Sequence, residues 1–324
     1  MSEALTLIRS SVAGNTVLHT PLTARCESKG VILCLAGLSG SKEALGRHRR
    51  MAAFAEAGYG VVLCDHHNAG ERRDKKLEPL SNIEGWTSCQ KDTFWRAIYR
   101  TACEVPEVVS WAIQTFQTTD ISAYGSSMGG DCYLTSLVFE RRLRALVCDR
   151  ASPDWLRPNS KGNVLGESVE GDALYERHCP SNRLAAFDGH PTAMLFLCGE
   201  SDEHVPRALA EGFVADLRAA RAYVQAERLQ VAVLPSRRWL GHIFAEPVDV
   251  TLRCLTFLDA VSAPDGDSAA VVALDEDGPA VDEDAAPMAC MVAAAAGTEN
   301  KPPHRTECWA RSICSHSSSP RLTA

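Results

Sequence analysis

Short segments made almost wholly of apolar residues recur along the chain, and they restrict its fold more than any other feature. They lie at 31–35, 60–64, 121–124, 143–148, 193–198 and 229–234, and longer amphipathic stretches separate them. Apolar residues that run without alternation are typical of strands buried on both faces of a parallel sheet. The sequence therefore predicts such a sheet as the centre of the fold.

The stretches between these segments carry apolar residues at helical spacing. They predict helices at 41–57, 91–117, 128–141, 206–226 and 247–260. Strands that alternate with helices form βαβ units with right-handed crossovers, which place helices on both faces of the sheet. Ahead of them, the turn signal Gly14-Asn15 joins the segments 5–12 and 16–22, which indicates a hairpin. The predicted fold class is α/β, with a mostly parallel sheet and an antiparallel N-terminal edge.

Two parts of the chain do not follow this alternation. Residues 151–190 separate two predicted strands by more than one simple helix and contain several prolines and glycines, so we expect a small cap or lid insertion there. After residue 262 the sequence becomes acidic and rich in Ala, Pro and Ser, with few large apolar side chains. Such a composition buries too little surface to offset the entropy of folding. We expect one domain over 1–262 and a disordered tail over 263–324.

Charge and cysteine content exclude several classes of protein. Most of the formal net charge of −8 belongs to the tail, so the predicted domain is nearly neutral and lacks the basic surface for binding nucleic acid. The basic cluster at 47–50 is interpreted as solvated surface. The 13 cysteines form no C-x-x-C pair, which favours free thiols in a reducing compartment. Because neither a secretory signal nor a long apolar run is visible, we expect a cytoplasmic protein without a membrane span.

A G-x-S-x-G motif occurs at 125–129, between a predicted strand and a predicted helix. This context suits a sharp turn that holds a serine in a strained conformation, where small neighbours let the chain pass closely. The motif therefore indicates Ser127 as a nucleophile. A glycine-rich turn with a capping serine is the alternative interpretation.

A serine nucleophile requires a base, and the base requires a carboxylate that orients it. His242 follows the last predicted strand and Asp202 follows the strand before it, so both would lie at the same edge of the sheet as Ser127. We predict these three residues as a catalytic triad. Alternatives for the carboxylate are Glu200, Glu203 and Asp149, and less well placed histidines are His66, His67, His190 and His204.

The oxygen of a tetrahedral intermediate needs two backbone donors. The N–H of Met128, at the start of the helix after Ser127, is the predicted first donor, and the helix dipole would assist it. The second is predicted at Leu38, in the loop after the strand 31–35. A plain turn at Gly37 and Gly40 is the alternative interpretation of that loop. No phosphate-binding or metal-binding motif is present, so no cofactor is expected.

At these residues the chain resembles the α/β-hydrolase superfamily, and more narrowly its dienelactone-hydrolase and prolyl-oligopeptidase-like single-domain esterases. The resemblance extends over about residues 31–257 and rests on the segments 35–43, 65–72, 124–130, 198–202 and 240–242. The chain order Ser127, Asp202, His242 is the order of that superfamily. The resemblance implies nucleophile, acid and base in that order, with Leu38 and Met128 forming the oxyanion hole.

The chain departs from the family pattern at two positions, since Ala36 and Ala69 stand where the family usually has a histidine before glycine. The departures leave the triad intact and affect the loops around it. The expected function is a serine hydrolase that cleaves a carboxylic ester or thioester of a small-molecule acyl substrate. An acyltransferase with the same triad and a catalytically silent binding protein are the alternatives, and the oligomeric state is left open.

Overall fold

The computed structural model describes residues 5–12, 14–21, 29–38, 40–73, 88–157, 165–166, 168–220, 228–237, 242–244 and 247–262. At their centre lies an eight-stranded sheet with the strand order β1-β2-β4-β3-β5-β6-β7-β8. The strands are β1 (Ile8–Val12), β2 (Asn15–His19), β3 (Val31–Leu35), β4 (Gly60–Cys64), β5 (Ile121–Ser126), β6 (Leu143–Asp149), β7 (Ala193–Gly199) and β8 (Leu229–Leu234). The predicted tail at 263–324 lies outside the described residues.

Six neighbouring strands pair in parallel, in the order β4, β3, β5, β6, β7 and β8. In contrast, β2 is antiparallel to both of its neighbours, β1 and β4. This arrangement confirms the predicted parallel sheet with an antiparallel N-terminal edge. β3, β4 and β8 have the predicted bounds, and β5, β6 and β7 each extend one or two residues further. The parallel strands bring their carboxyl ends to one edge of the sheet, where ligand sites of such sheets form.

Helices cover both faces of this sheet. They are α1 (Lys42–Gly46), α2 (Arg49–Glu56), α3 (Ser88–Phe116), α4 (Met128–Ser136), α5 (Val169–His178), α6 (Arg207–Ala219) and α7 (Pro247–Ser262). α2 and α7 contribute Phe54 and Leu258 to the core on one face, and α3 and α4 contribute Val109 and Leu134 to the core on the other. None of the described helices is long and apolar enough to cross a membrane.

The two cores explain why the strands are apolar throughout. In β3, Ile32 and Cys34 join the core beneath α2 and α7, whereas Leu33 and Leu35 join the core beneath α3 and α4. All of these residues are at most 1% exposed. Alternate side chains of a strand point to opposite faces. A strand covered on both faces therefore buries all of its side chains, which favours apolar residues at every position.

Three predicted helices differ clearly in extent from the helices that form, and one of them, predicted at 206–226, is α6, which ends at Ala219. The predicted helix 41–57 is two helices, α1 and α2, because His48 has an extended backbone and its side chain accepts a hydrogen bond from Arg50 N at 3.2 Å. The predicted helix 128–141 ends at Ser136, where the hydroxyls of Thr135 and Ser136 donate to backbone carbonyls of the same helix. The hairpin of β9 (Ser236–Arg237) and β10 (Ile243–Phe244) was not predicted.

The segment 151–190 contains α5 and two short 3-10 turns, and residues 158–164 and 167 within it lie outside the described part. It packs against α3, where the rings of Trp95 and Tyr175 stack with their centroids 5.4 Å apart. Ser168 caps α5 by accepting a hydrogen bond from Gly171 N at 3.1 Å. The segment is therefore anchored on the helical layer, and its role as a lid stays a prediction.

Candidate active site

Ser127 occupies the sharp turn between β5 and α4. Its backbone has φ 51° and ψ −123°, a combination that an L-residue rarely adopts. Two backbone hydrogen bonds hold it: Ser127 N donates to Asp149 O at 2.7 Å, and Gly130 N donates to Ser127 O at 2.8 Å. Strained backbone of this kind persists only where its surroundings determine it, and it is common at active sites.

The glycines around Ser127 are required by the close approach of other backbone. A Cβ atom on Gly125 would lie 2.4 Å from Gly130 N, and one on Gly129 would lie 2.5 Å from Leu35 O. Neither distance is tolerable for a side-chain carbon, so only glycine fits. The first and last positions of the predicted motif are therefore explained by the packing of α4 on β5 and β3.

The structure brings Ser127, His242 and Asp202 together. Ser127 Oγ lies 3.1 Å from His242 Nε2, and His242 Nδ1 lies 2.7 Å from Asp202 Oδ2. The other oxygen of Asp202 accepts hydrogen bonds from His204 N at 3.0 Å and Val205 N at 2.9 Å. A carboxylate can only accept, so Nδ1 carries the proton and the lone pair of Nε2 faces the serine hydroxyl. That is the arrangement in which the imidazole can take a proton from the serine.

The alternative carboxylates are engaged elsewhere or lie in solvent. Asp149 is fully buried and forms ion pairs with Arg50 and Arg150, each with a contact of 2.7 Å. Burial would raise the pKa of Asp149, but the two guanidinium groups hold it well below its ordinary value. Glu200 and Glu203 are exposed.

The alternative base His204 lies beside the site but is occupied. Its Nε2 faces Arg157 Nη1 at 2.7 Å, and its ring packs edge-on against His242 with centroids 5.0 Å apart. Burial, with Arg157 and His242 nearby, lowers the pKa of His204 to about 2, so the ring is neutral at ordinary pH. His204 therefore forms a wall for the His242 ring.

The loop after β3 lies against the nucleophile. A Cβ atom on Gly37 would be 3.4 Å from Ser127 Cβ, so the loop that carries the predicted donor Leu38 approaches the serine at Gly37. Gly37 O accepts a hydrogen bond from Gly40 N at 2.9 Å and lies 3.1 Å from His66 Nε2. His66 thus supports this loop. Ala36 lies in the same loop, at the position where the α/β-hydrolases that the chain resembles usually have a histidine. Burial lowers the pKa of His66, which favours the neutral ring.

Met128, the other predicted donor, is the first residue of α4. The first N–H groups of a helix have no acceptor within the helix, and the helix dipole makes this end positive. Met128 N–H is adjacent in the chain to the nucleophile, and the next residue, Gly129, lies against the end of β3, since a Cβ atom on it would be 2.6 Å from Ala36 O.

Sequence reasoning missed a buried lysine that fixes this loop. Lys42 is 1% exposed; its backbone N donates to Asp65 Oδ1 at 2.7 Å and its Nζ donates to Asp65 Oδ2 at 2.6 Å. Burial alone would lower the pKa of Lys42, yet its hydrogen bonds to Asp65 and Glu71 hold it above the ordinary value. The pair ties the start of α1 to the end of β4, and no local pattern in the sequence indicates it.

Arg50 corrects the interpretation of residues 47–50 as solvated surface. Arg47, His48 and Arg49 are exposed, but Arg50 is 5% exposed and its Nη1 donates to Asp149 Oδ2 at 2.7 Å. The prediction was wrong for this residue because its partner lies far away in the sequence, at the end of β6. Among the described residues, no group of three or more His, Cys, Asp and Glu side chains is arranged to hold a metal ion.

No family model matches the sequence, and no curated protein matches it. Solved structures do. TT1662 from Thermus thermophilus is 24% identical with a TM-score of 0.61, over 80% of this chain and 98% of that protein. The esterase Pf2001 from Pyrococcus furiosus is 14% identical with a TM-score of 0.53, over 78% of this chain and 91% of the esterase.

A larger enzyme contains the same fold as one part. The puromycin-hydrolyzing peptidase from Mycobacterium tuberculosis is 14% identical with a TM-score of 0.59, over 81% of this chain but only 40% of the peptidase. Identities this low show shared architecture and no more. The sheet order, the helices on both faces and these similarities agree: the chain has the α/β-hydrolase fold.

Proposed function

We propose that the protein is a serine hydrolase that cleaves a carboxylic ester or thioester through an acyl-enzyme. One observation carries the proposal. His242 joins Ser127 Oγ, 3.1 Å from its Nε2, to Asp202 Oδ2, 2.7 Å from its Nδ1, at the carboxyl edge of the sheet. The strained backbone of Ser127 supports it, since a plain capping serine has no need of a positive φ.

In the first half of the reaction Ser127 Oγ attacks the acyl carbonyl carbon, and His242 Nε2 takes the hydroxyl proton. Asp202 stabilises the imidazolium that forms and keeps its Nδ1–H directed at the carboxylate. The N–H groups of Met128 and Leu38 donate to the oxyanion. When the tetrahedral intermediate collapses, the alcohol or thiol leaves with the proton from His242 Nε2.

In the second half a water molecule attacks the acyl-enzyme, and His242 takes its proton. The second tetrahedral intermediate uses the same donors and releases the carboxylic acid as Ser127 recovers its proton. None of these steps requires a metal or an organic cofactor. An acyltransferase would differ only in that an alcohol or amine replaces the water.

Peptide hydrolysis is a second candidate, because a puromycin-hydrolyzing peptidase shares the fold over 81% of this chain. We favour the ester or thioester because a small-molecule acyl substrate needs only the triad and the donors beside it. The amide nitrogen is a poorer leaving group and depends on additional contacts that position the peptide.

We also propose that residues 1–262 form one catalytic domain in the cytoplasm. The last described helix, α7, supports the domain boundary because it packs on the central sheet and ends at Ser262. Eight cysteines whose side chains the structure describes are free, and six of these are buried, which supports a reducing compartment.

The test is covalent labelling with a fluorophosphonate probe, followed by turnover of p-nitrophenyl esters, acyl-CoA thioesters and peptide p-nitroanilides. Wild type and Ser201→Ala should be labelled, and Ser127→Ala should not. Ser201 is a matched control because it is an exposed serine in the Gly-Glu-Ser turn that follows β7, as Ser127 is in the turn that follows β5. Labelling that persists in Ser127→Ala, or no labelling of wild type, would overturn the proposal. Faster turnover of the anilides than of the esters would favour the peptidase.

A further inference from the structure

Arg150 is the first residue after β6, and its backbone is strained. Its φ is 54°, in the left-handed region that a long side chain seldom occupies. Arg150 N donates to Leu197 O at 2.8 Å, which continues the pairing with β7 and holds the residue in place. Strained backbone that neighbouring residues hold in place is common at functional sites.

The guanidinium of Arg150 contacts both halves of the candidate site. Nη1 donates to the backbone carbonyl of His242 at 2.6 Å, and Nη2 donates to Ser126 Oγ at 3.1 Å. Its plane lies over the ring of Phe244, 5.0 Å from the centroid. Ser126 precedes the nucleophile, whereas His242 and Phe244 belong to the segment that carries the base. One side chain therefore joins two segments that are far apart in the sequence.

Asp149 fixes the guanidinium from the other side. Arg150 Nε donates to Asp149 Oδ1 at 2.7 Å and Nη2 lies 3.2 Å from Oδ2, a two-point contact that only the planar fork of arginine makes. The backbone carbonyl of the same Asp149 accepts the hydrogen bond from Ser127 N. Asp149 thus forms hydrogen bonds with both the backbone of Ser127 and the guanidinium of Arg150.

We propose that Arg150 is a positioning residue that holds the backbone of His242 at the distance and angle from which its Nε2 reaches Ser127 Oγ. The inference rests on the proposed function, since the reaction is what the geometry serves. It does not make Arg150 a catalytic residue, because its contacts are to the backbone carbonyl of His242 and to Ser126.

Arg50 provides a matched control within the same cluster. It also forms an ion pair with the fully buried Asp149, at 2.7 Å, and is itself buried where Arg150 is half-buried, but its remaining side-chain contacts are to Tyr124 and Thr251. Replacing either arginine removes an ion pair with the buried Asp149, so both sets of variants share that effect on stability. Only the Arg150 variants are expected to change the position of the segment that carries His242.

The experiment compares Arg150→Lys and Arg150→Met with Arg50→Lys and Arg50→Met. Lysine keeps the ion pair with Asp149, so Arg150→Lys should fold, but a single ammonium cannot also reach His242 O and Ser126 Oγ. We expect kcat for a p-nitrophenyl ester to fall about 10- to 100-fold in both Arg150 variants, with KM within about twofold of wild type, because misplacing a catalytic group by about 1 Å costs that much. The Arg50 variants should keep kcat within about threefold, whatever their thermal stability.

Amide hydrogen exchange gives a readout that does not depend on turnover. Exchange at residues 242–244 should accelerate at least about tenfold in Arg150→Lys and remain at the wild-type rate in Arg50→Lys, as expected when a local opening becomes easier. Wild-type kcat and wild-type exchange in Arg150→Lys would overturn the proposal, as would equal losses of kcat in both lysine variants. Failure of the proposed function is a separate result, absence of Ser127-dependent labelling in wild type, and the exchange comparison would still decide whether Arg150 positions the segment.

Discussion

Replacing Asp202 by asparagine should abolish turnover by reversing the tautomer of His242. Oδ1 of Asp202 accepts two backbone hydrogen bonds, from His204 N at 3.0 Å and Val205 N at 2.9 Å. The asparagine must therefore place its carbonyl oxygen there, because the opposite orientation would set its NH₂ group against two buried donors at about 1–3 kcal/mol each. Its NH₂ group then faces His242 Nδ1, where the carboxylate now accepts at 2.7 Å.

With a donor at that position, Nδ1 must accept, and the single proton of the neutral ring moves to Nε2. Nε2–H then points at Ser127 Oγ and cannot take its proton. In serine proteases the corresponding change lowers kcat by about 10⁴-fold, which is about 5.4 kcal/mol of transition-state free energy. We expect a decrease of about 10³- to 10⁴-fold in Asp202→Asn, measured with a p-nitrophenyl ester.

The variant should remain folded. Each of the two backbone hydrogen bonds changes from a charged to a neutral acceptor and weakens by roughly 1 kcal/mol, so the free energy of unfolding should fall by about 2–3 kcal/mol. That leaves a domain of ordinary stability folded at room temperature. Glu200→Gln and Glu203→Gln, which change exposed carboxylates of the same loop, should keep wild-type turnover. More than about a tenth of wild-type kcat in Asp202→Asn, or a comparable loss in either control, would refute the assignment of the acid.

Three further predictions concern the framework. A Cβ atom on Gly129 would lie 2.5 Å from a backbone carbonyl oxygen of β3, so Gly129→Ala should lower the urea midpoint and turnover together; wild-type values would show that α4 can shift freely. Lys42→Met leaves Asp65 charged and buried, and should cost about 3–5 kcal/mol in urea unfolding, part of which the double variant with Asp65→Asn recovers, because the neutral amide oxygen can still accept from Lys42 N. Equal losses in the single and double variants would contradict this. Hydrogen bonds from Arg9 and Lys42 lower the pKa of Glu71 from 4.5 to about 2, so its stabilisation is present above pH 4.5 and is lost as the pH falls towards 2. Glu71→Gln should flatten this part of the plot of melting temperature against pH, and an unchanged slope would refute it.

Most of the sheet could be predicted from the sequence because burial on both faces leaves a local signal. β3, β4 and β8 have their predicted bounds, since each apolar run ends where the strand leaves the core. The turn at Ser127 was visible for the same reason, as glycines directly after a buried run mark a close approach of backbone. Asp202 and His242 followed from topology: parallel strands bring their carboxyl ends to one edge.

The break between α1 and α2 could not be predicted in this way. It depends on His48, which caps α2 with its side chain, and Gly46, the last residue of α1, is a weak sign because a single glycine is tolerated inside a helix. The hairpin of β9 and β10 was missed because two-residue strands carry no periodicity. In both cases the structure results from contacts between a few residues, which composition does not reveal.

The charged residues buried or partly buried near the carboxyl edge of the sheet were the least predictable. Lys42, Arg50 and Arg150 look like ordinary surface charges in the sequence, and each is paired with a carboxylate that lies elsewhere in the chain or next to it. A charged side chain carries no sign of its partner, so its burial emerges only from the packing of the whole sheet. Arg150 had one local sign, its position directly after a strand that is buried at every position but Arg144.

The location of these buried charges indicates what they contribute. Desolvating an ion pair offsets much of its attraction, and well-packed apolar side chains often stabilise a core as well or better. Yet two ion pairs with deeply buried side chains, Lys42–Asp65 and Arg157–Asp131, lie next to the candidate site. Each joins a loop or helix next to Ser127 or His242 to the sheet edge or to a neighbouring segment. Directional hydrogen bonds fix angles as well as distances, whereas apolar contacts allow sliding. Loops that must hold a nucleophile, a base and two backbone donors to within a fraction of an ångström have reason to use them.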